Sequence, residues 1–168
     1  MNSDHKMLEN AIAIDDFNRA IALINSGVGD INSADRSGAT LLMRAVVSKD
    51  LARVKEFIKM GANVNSLDRA KFSALHFAAQ DGSVDIASVL IEAGANINAK
   101  DEFGNTPLLR APSVDSSDGE RIIDLLLKNG ANAKEKNNYG VSYEDLITDR
   151  RFNRMRPSIA PRKRHQAG

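Results

Sequence analysis

Apolar residues recur along this chain at helical rather than strand spacing. In "VDIASVLIEA", Ile86, Val89 and Leu90 fall at i, i+3 and i+4, and Ile122, Leu125 and Leu126 repeat the arrangement further on. A shorter stretch rich in small residues precedes the first of these: "SALHFAAQD" predicts a helix of about two turns. Gly61, Gly94 and Gly130 sit just past the more apolar helices, where a left-handed C-cap residue is wanted. The pattern therefore predicts pairs of helices, each pair closed by a glycine.

These pairs are copies of one another. Asp35, Asp68 and Asp101 are spaced by 33 residues, and each opens a segment ending in Gly-Ala-Asn at 61–63, 94–96 and 130–132, the third segment being three residues longer. Three of the turns hold Gly38, Gly104 and Gly140, whereas the second holds Lys71 followed by Phe72. Thr40, Ser73 and Thr106 are placed to cap the first helices through their side-chain oxygens, and Pro107 suits a first helical turn. Leu42, Leu75 and Leu108 are predicted to fill the core between units, and Ala45, Ala78 and Ala111 to let the inner helices approach closely.

On these residues the chain resembles the ankyrin-repeat family. The family's Thr-Pro-Leu-His signature appears piecemeal as "GNTPLLRA", "FSALHFAA" and "GATLLMRA", and its Gly-Ala-Asn-x-Asn ending as "GANVN", "GANIN" and, more loosely, "GANAK". The likeness covers roughly residues 35–147. It implies an all-α solenoid of helix-turn-helix units with β-hairpin-like turns, about five units in all: an N-terminal capping repeat at 1–34, repeats at 35–67, 68–100 and 101–136, and a C-terminal capping repeat at 137–156. Residues 157–168 form a basic tail with too few apolar residues to fold alone. In the C-terminal cap, Tyr143 and Glu144 stand where the family has Pro-Leu, which puts its second helix in doubt. Pro112 is expected to end the third inner helix and to push "SVDSSDG", residues 113–119, out as a longer loop.

Composition narrows the function. No apolar run of 18 residues is present, the N-terminus carries acids where a signal peptide needs apolar residues, and cysteine is absent, all of which point to a cytoplasmic chain. The net charge of +1 hides an asymmetry. Seven basic side chains and no acid lie between Arg150 and Gly168, which leaves residues 1–149 with 16 basic against 22 acidic groups. No enzyme is expected: there is no nucleophile paired with a base, no metal cluster and no cofactor loop, and no cofactor is called for. Asp115 and Asp118 do not follow the EF-hand spacing. His76 stands alone inside the repeats, and the resemblance implies a hydrogen bond to a neighbouring turn for it.

A repeat stack builds a long surface suited to a large partner rather than a small substrate. The positions that vary between copies are the candidates for contact. On the hairpins these are Arg36, Arg69, Lys71, Phe72, Glu102, Phe103 and Tyr139; on the inner helices they are Arg44, Val47, Phe77, Gln80, Asp81 and Arg110. Phe72, Phe77, Arg44, Arg69 and Arg110 are expected to cluster on the central units, in keeping with the weight of aromatics and arginine at interface hot spots. The expected function is a non-enzymatic protein-binding scaffold, monomeric by itself, that docks one protein through its concave face. The resemblance to small stand-alone bacterial ankyrin proteins suggests an inhibitor, such as an immunity protein neutralising a toxin. The acidic body favours a partner with a basic surface. The alternative is a nucleic-acid or chromatin adaptor that uses the basic tail, with binding that collapses in salt.

Overall fold

The computed structural model describes residues 3–111 and 117–148. Nine helices occur among them: α1 (Ser3–Ala13), α2 (Phe17–Asn25), α3 (Leu41–Val47), α4 (Leu51–Lys59), α5 (Ala74–Gln80), α6 (Val84–Glu92), α7 (Pro107–Arg110), α8 (Ser117–Lys128) and α9 (Tyr143–Thr148). The helices pack in consecutive pairs, α1 on α2, α3 on α4, α5 on α6 and α7 on α8, the first member being the shorter in the last three pairs. The pairs then stack: α1, α3, α5 and α7 form an inner layer, and α4, α6 and α8 an outer one. Among the described residues there is no strand, only an isolated antiparallel bridge between Ala34 and Thr40. None of these helices is long and apolar enough to cross a membrane.

Local chemistry sets the helix starts. The side chains of Thr40, Ser73 and Thr106 accept hydrogen bonds from the backbone N–H of Met43, His76 and Leu109, and Pro107 takes the first turn of α7. Asp16 and Asp50 cap α2 and α4 in the same way. The core follows the expected leucines and alanines: Leu42, Leu75, Leu108, Ala45, Ala78 and Ala111 are all buried, together with Ile86, Leu90, Ile122 and Leu126 from the outer helices. Burying a leucine this completely contributes roughly 1.5–3 kcal/mol.

One expectation is corrected. Ser117, Asp118 and Gly119, expected in a loop, form the first turn of α8, which has 12 residues where α4 and α6 have 9. Three of the residues expected in the loop thus lengthen α8 at its start, where Asp118 and Glu120 place negative charge at the N-terminal end and Gly119 is buried. Residues 112–116, and the tail beyond residue 148, lie outside the described residues.

Candidate protein-binding surface

Four hairpins precede the inner helices, all with one backbone plan. In the first, Asp35 N–H donates to Ala39 O and Gly38 N–H to Asp35 O, both at 3.0 Å. Asp68 with Phe72 and Lys71 repeats this in the second, Asp101 with Asn105 and Gly104 in the third, and Asn137 with Val141 and Gly140 in the fourth. The hairpins are stitched to one another by Arg69 N–H to Ser37 O (3.0 Å), Glu102 N–H to Ala70 O (2.9 Å) and Asn138 N–H to Phe103 O (2.9 Å). Gly38 and Gly104 have φ of 85° and 76°, and a Cβ on either would come within 2.9 Å or less of the next hairpin's backbone nitrogen. Lys71 adopts the same left-handed turn, with φ 61°, and keeps the stitch.

A carboxylate anchors each of the first three hairpins, and the side-chain oxygen of Asn137 anchors the fourth. Asp101 accepts from the backbone N–H of Phe103 and Asn105 at 2.9 Å, from the Asn105 side chain at 3.3 Å, and from Nε of Arg110 at 2.9 Å. Asp35 is held likewise by Ser37, by Ala39 and by Nε of Arg44 at 3.1 Å. Burial pushes both carboxyls up. These hydrogen bonds and guanidinium groups outweigh it and hold both below the ordinary carboxylate value. The second unit lacks the brace: Asp68 accepts from Phe72 N–H at 2.8 Å, but the position nine residues on, where its sisters carry Arg44 and Arg110, is Phe77.

The expected central cluster is therefore only partly assembled. Phe72 is half-buried rather than exposed, its ring centroid 5.2 Å from that of Phe77 and 5.4 Å from that of His76. The Arg110 guanidinium lies 4.5 Å from the Phe72 centroid while holding Asp101, so it links units two and three. Arg44 pairs with Asp35 and lies 4.0 Å from Asp15. Both arginines are thus engaged by their own fold. Val47, Gln80 and Asp81 are exposed at the far end of the inner helices, where Asp81 lines a cavity of about 290 Å³ with Lys49, Ser83, Asp85, Asp118 and Arg121. On the hairpin edge Arg36, Arg69, Lys71, Glu102, Phe103 and Tyr139 are all exposed.

His76 is fully buried. Its Nδ1 accepts from Ser73 N–H at 3.1 Å and lies 2.8 Å from the Ser73 hydroxyl, and its Nε2 lies 3.0 Å from the Asn105 carbonyl of the next hairpin. These partners assign a neutral ring protonated on Nε2. Burial pushes its pKa down, aided by the charge of Arg110, against the pull of the Asn105 carbonyl and Asp101. No group of three or more His, Cys, Asp or Glu side chains among the described residues is placed to hold a metal ion.

A second ladder was not anticipated from sequence. Asn63 N–H donates to Oδ1 of Asn32 (2.6 Å), Asn96 N–H to Asn65 (2.7 Å) and Asn132 N–H to Asn98 (2.9 Å), while Asn65 Nδ2 reaches Gly94 O at 3.1 Å. The spacing of the two asparagines in Gly-Ala-Asn-x-Asn was the available signal.

Comparison with known proteins agrees with this geometry. A family model described as ankyrin repeats, in three copies, matches residues 42–137. The chain is 35% identical over 124 residues to the E3 ubiquitin-protein ligase Ufd4 of Drosophila melanogaster, and 31% identical over 122 residues to the E3 ubiquitin-protein ligase hecd-1 of Caenorhabditis elegans. These matches take in 74% and 73% of this chain but 4% of either ligase. The Notch-regulated ankyrin repeat-containing protein of Homo sapiens is 39% identical over 57 residues, which is 34% of this chain and 50% of that protein. With period, cap, turn and ladder repeating through the matched segment, this chain belongs to the ankyrin-repeat family, whose stacks are protein–protein interaction modules.

Proposed function

We propose that this chain is a non-enzymatic, monomeric, cytoplasmic module that docks one protein partner across its hairpin edge and inner-helix face and acts by occupancy, as an inhibitor or immunity protein does. The observation that carries the reading is the partition of side chains at equivalent positions. Scaffold positions such as Leu75, Ala78 and Ser73 are buried, whereas most of the positions that differ between copies, among them Arg36, Arg69, Lys71, Phe103, Val47 and Gln80, are exposed along one stack. The histidine inside the repeats supports the non-enzymatic part, because both its ring nitrogens are engaged in structural bonds. The acidic balance of residues 1–149 suits fast association with a partner of net basic charge.

The test is capture from a nuclease-treated lysate with three baits: the wild-type chain, a Val47→Glu/Gln80→Arg variant, and a chain ending at Arg156. Both substituted positions are exposed, so the fold is expected to tolerate the changes. One protein retained by the wild type and the shortened chain but lost by the double variant supports concave-face docking. A catch that survives the double variant and vanishes with residues 157–168 overturns it in favour of the tail-borne, salt-sensitive nucleic-acid reading.

A further inference from the structure

The hairpin edge changes character along the stack. The stitched backbones place Arg36, Arg69 and Glu102 in one register at the first, second and third hairpins, because Arg69 N–H bonds Ser37 and Glu102 N–H bonds Ala70. One residue further along each turn, the same stitching puts Phe103 beside Tyr139, through Asn138 N–H to Phe103 O. The first two hairpins thus present cations, and the last two present aromatics that are 42% and 72% exposed. Arg69 and Lys71 make no ion pair with the described residues, and Arg36, with 74% of its side chain exposed, reaches Glu9 only at 3.9 Å. This differs from Arg44 and Arg110, whose guanidinium groups are already held by aspartates.

We propose that this edge reads a protein partner in one direction: Arg36, Arg69 and Lys71 seat an acidic patch, and Phe103 and Tyr139 seat an adjoining apolar one. The inference rests on the docking reading above and names the chemistry that the docked surface presents. Two features favour a protein over a nucleic acid as the occupant. Glu102 stands in register with Arg36 and Arg69, where a phosphate chain running from the cations to the aromatic tips has to pass. Residues 1–149 are acidic on balance, so a long polyanion runs past the local cations onto carboxylates, whereas a compact acidic patch on a partner of either net charge meets only those cations. Lys71 reinforces the cationic end at a position where its three sister turns all use glycine.

The experiment titrates the isotope-labelled full chain with three probes, followed by amide chemical shifts. The first is a synthetic peptide with a glutamate-rich half followed by a half carrying leucine and phenylalanine; the second is its lysine-for-glutamate counterpart; the third is an oligothymidylate. The acidic peptide is expected to shift Arg36, Arg69 and Lys71 together with Phe103 and Tyr139, and a spin label on its apolar end to broaden Tyr139 and spare Arg36. Arg69→Glu/Lys71→Glu is expected to weaken it by at least about tenfold, and Phe103→Ser/Tyr139→Ser to weaken it while leaving the shifts at Arg36 and Arg69. Equal binding of the lysine peptide, indifference to the charge reversal, or no binding of the acidic peptide overturns the inference, and stronger shifts with the oligothymidylate assign the edge to nucleic acid instead. Shifts at Val47, Phe77 and Gln80 without the hairpins overturn this inference but leave concave-face docking standing. Shifts confined to α4, α6 and α8 overturn both.

Discussion

Lysine at a left-handed backbone position sets its Cβ against the carbonyl that glycine would spare, at a cost on the order of 1 kcal/mol. The chain bears this twice, at Lys71 in the second hairpin and at Lys49 in the turn between α3 and α4, where the next unit uses Gly82. Lys71→Gly and Lys49→Gly are each expected to raise the unfolding free energy by about 1 kcal/mol in urea titrations. Of the two, Lys71→Gly alone is expected to weaken the acidic peptide. A fall in stability for Lys71→Gly shows that the lysine makes compensating contacts of its own. His76 gives the second residue-scale prediction. Burial depresses its pKa below the unfolded value of 6.5, so the unfolded chain binds more protons than the folded one as pH falls. The contribution of the neutral ring is fully present above pH 6.5 and is lost progressively below it. His76→Leu, matching Met43 and Leu109 at the sister positions, is expected to be less stable at pH 7.5 but to lose less on acidification to pH 5.5; parallel losses in variant and wild type refute this.

Among the elements, α7 is the one most dependent on its cap. It has four residues, too few for propensity to hold it, and begins on Thr106, whose oxygen accepts from Leu109 N–H at 3.4 Å. Thr106→Ala is expected to cost about 1 kcal/mol by chemical denaturation, and an unchanged midpoint would locate the start of α7 in its packing on α5 instead. This cap was legible in the sequence, as were the helix pairs, the glycine stops and the buried leucines, because each depends on residues within one unit. The asparagine ladder was not, since Asn32 and Asn63 belong to neighbouring units and their pairing needs the stack to exist first. Nor was the Asp–Arg brace, whose partners lie nine residues apart across a turn and a helix. That is why Arg44 and Arg110 looked available for a partner. The half-burial of Phe72 was hidden in part for the same reason, since Arg110 of the following unit adds to the cover that Phe77 and His76 give it within its own. The extra turn of α8 was hidden by Pro112, which dominates any local reading of that stretch.

At the scale of the whole molecule, a stack whose units touch only their neighbours transmits energy only between neighbours. The seam between units two and three concentrates four contacts among five residues. His76 reaches the Asn105 carbonyl, Asn105 N–H bonds Asp101, Asp101 holds Arg110, and Arg110 covers Phe72. Removing any one loosens the third hairpin for the rest. Asp101→Ala, which strips this hairpin of its charged acceptor, is expected to cost roughly 2 kcal/mol. The same argument makes His76→Leu and Asp101→Ala non-additive, because both act on a single hairpin; the double variant is expected to depart from the sum of the singles by about 0.5 kcal/mol or more. Asp35 holds the first hairpin through Ser37, Ala39 and Arg44 and is separated from Asp101 by the whole second hairpin. Asp35→Ala and Asp101→Ala are therefore expected to add within about 0.5 kcal/mol. Urea unfolding of the two double-variant cycles decides between two pictures of the fold: coupling confined to the His76 cycle fits a chain of local seams, and equal coupling in both requires a core that responds as one body.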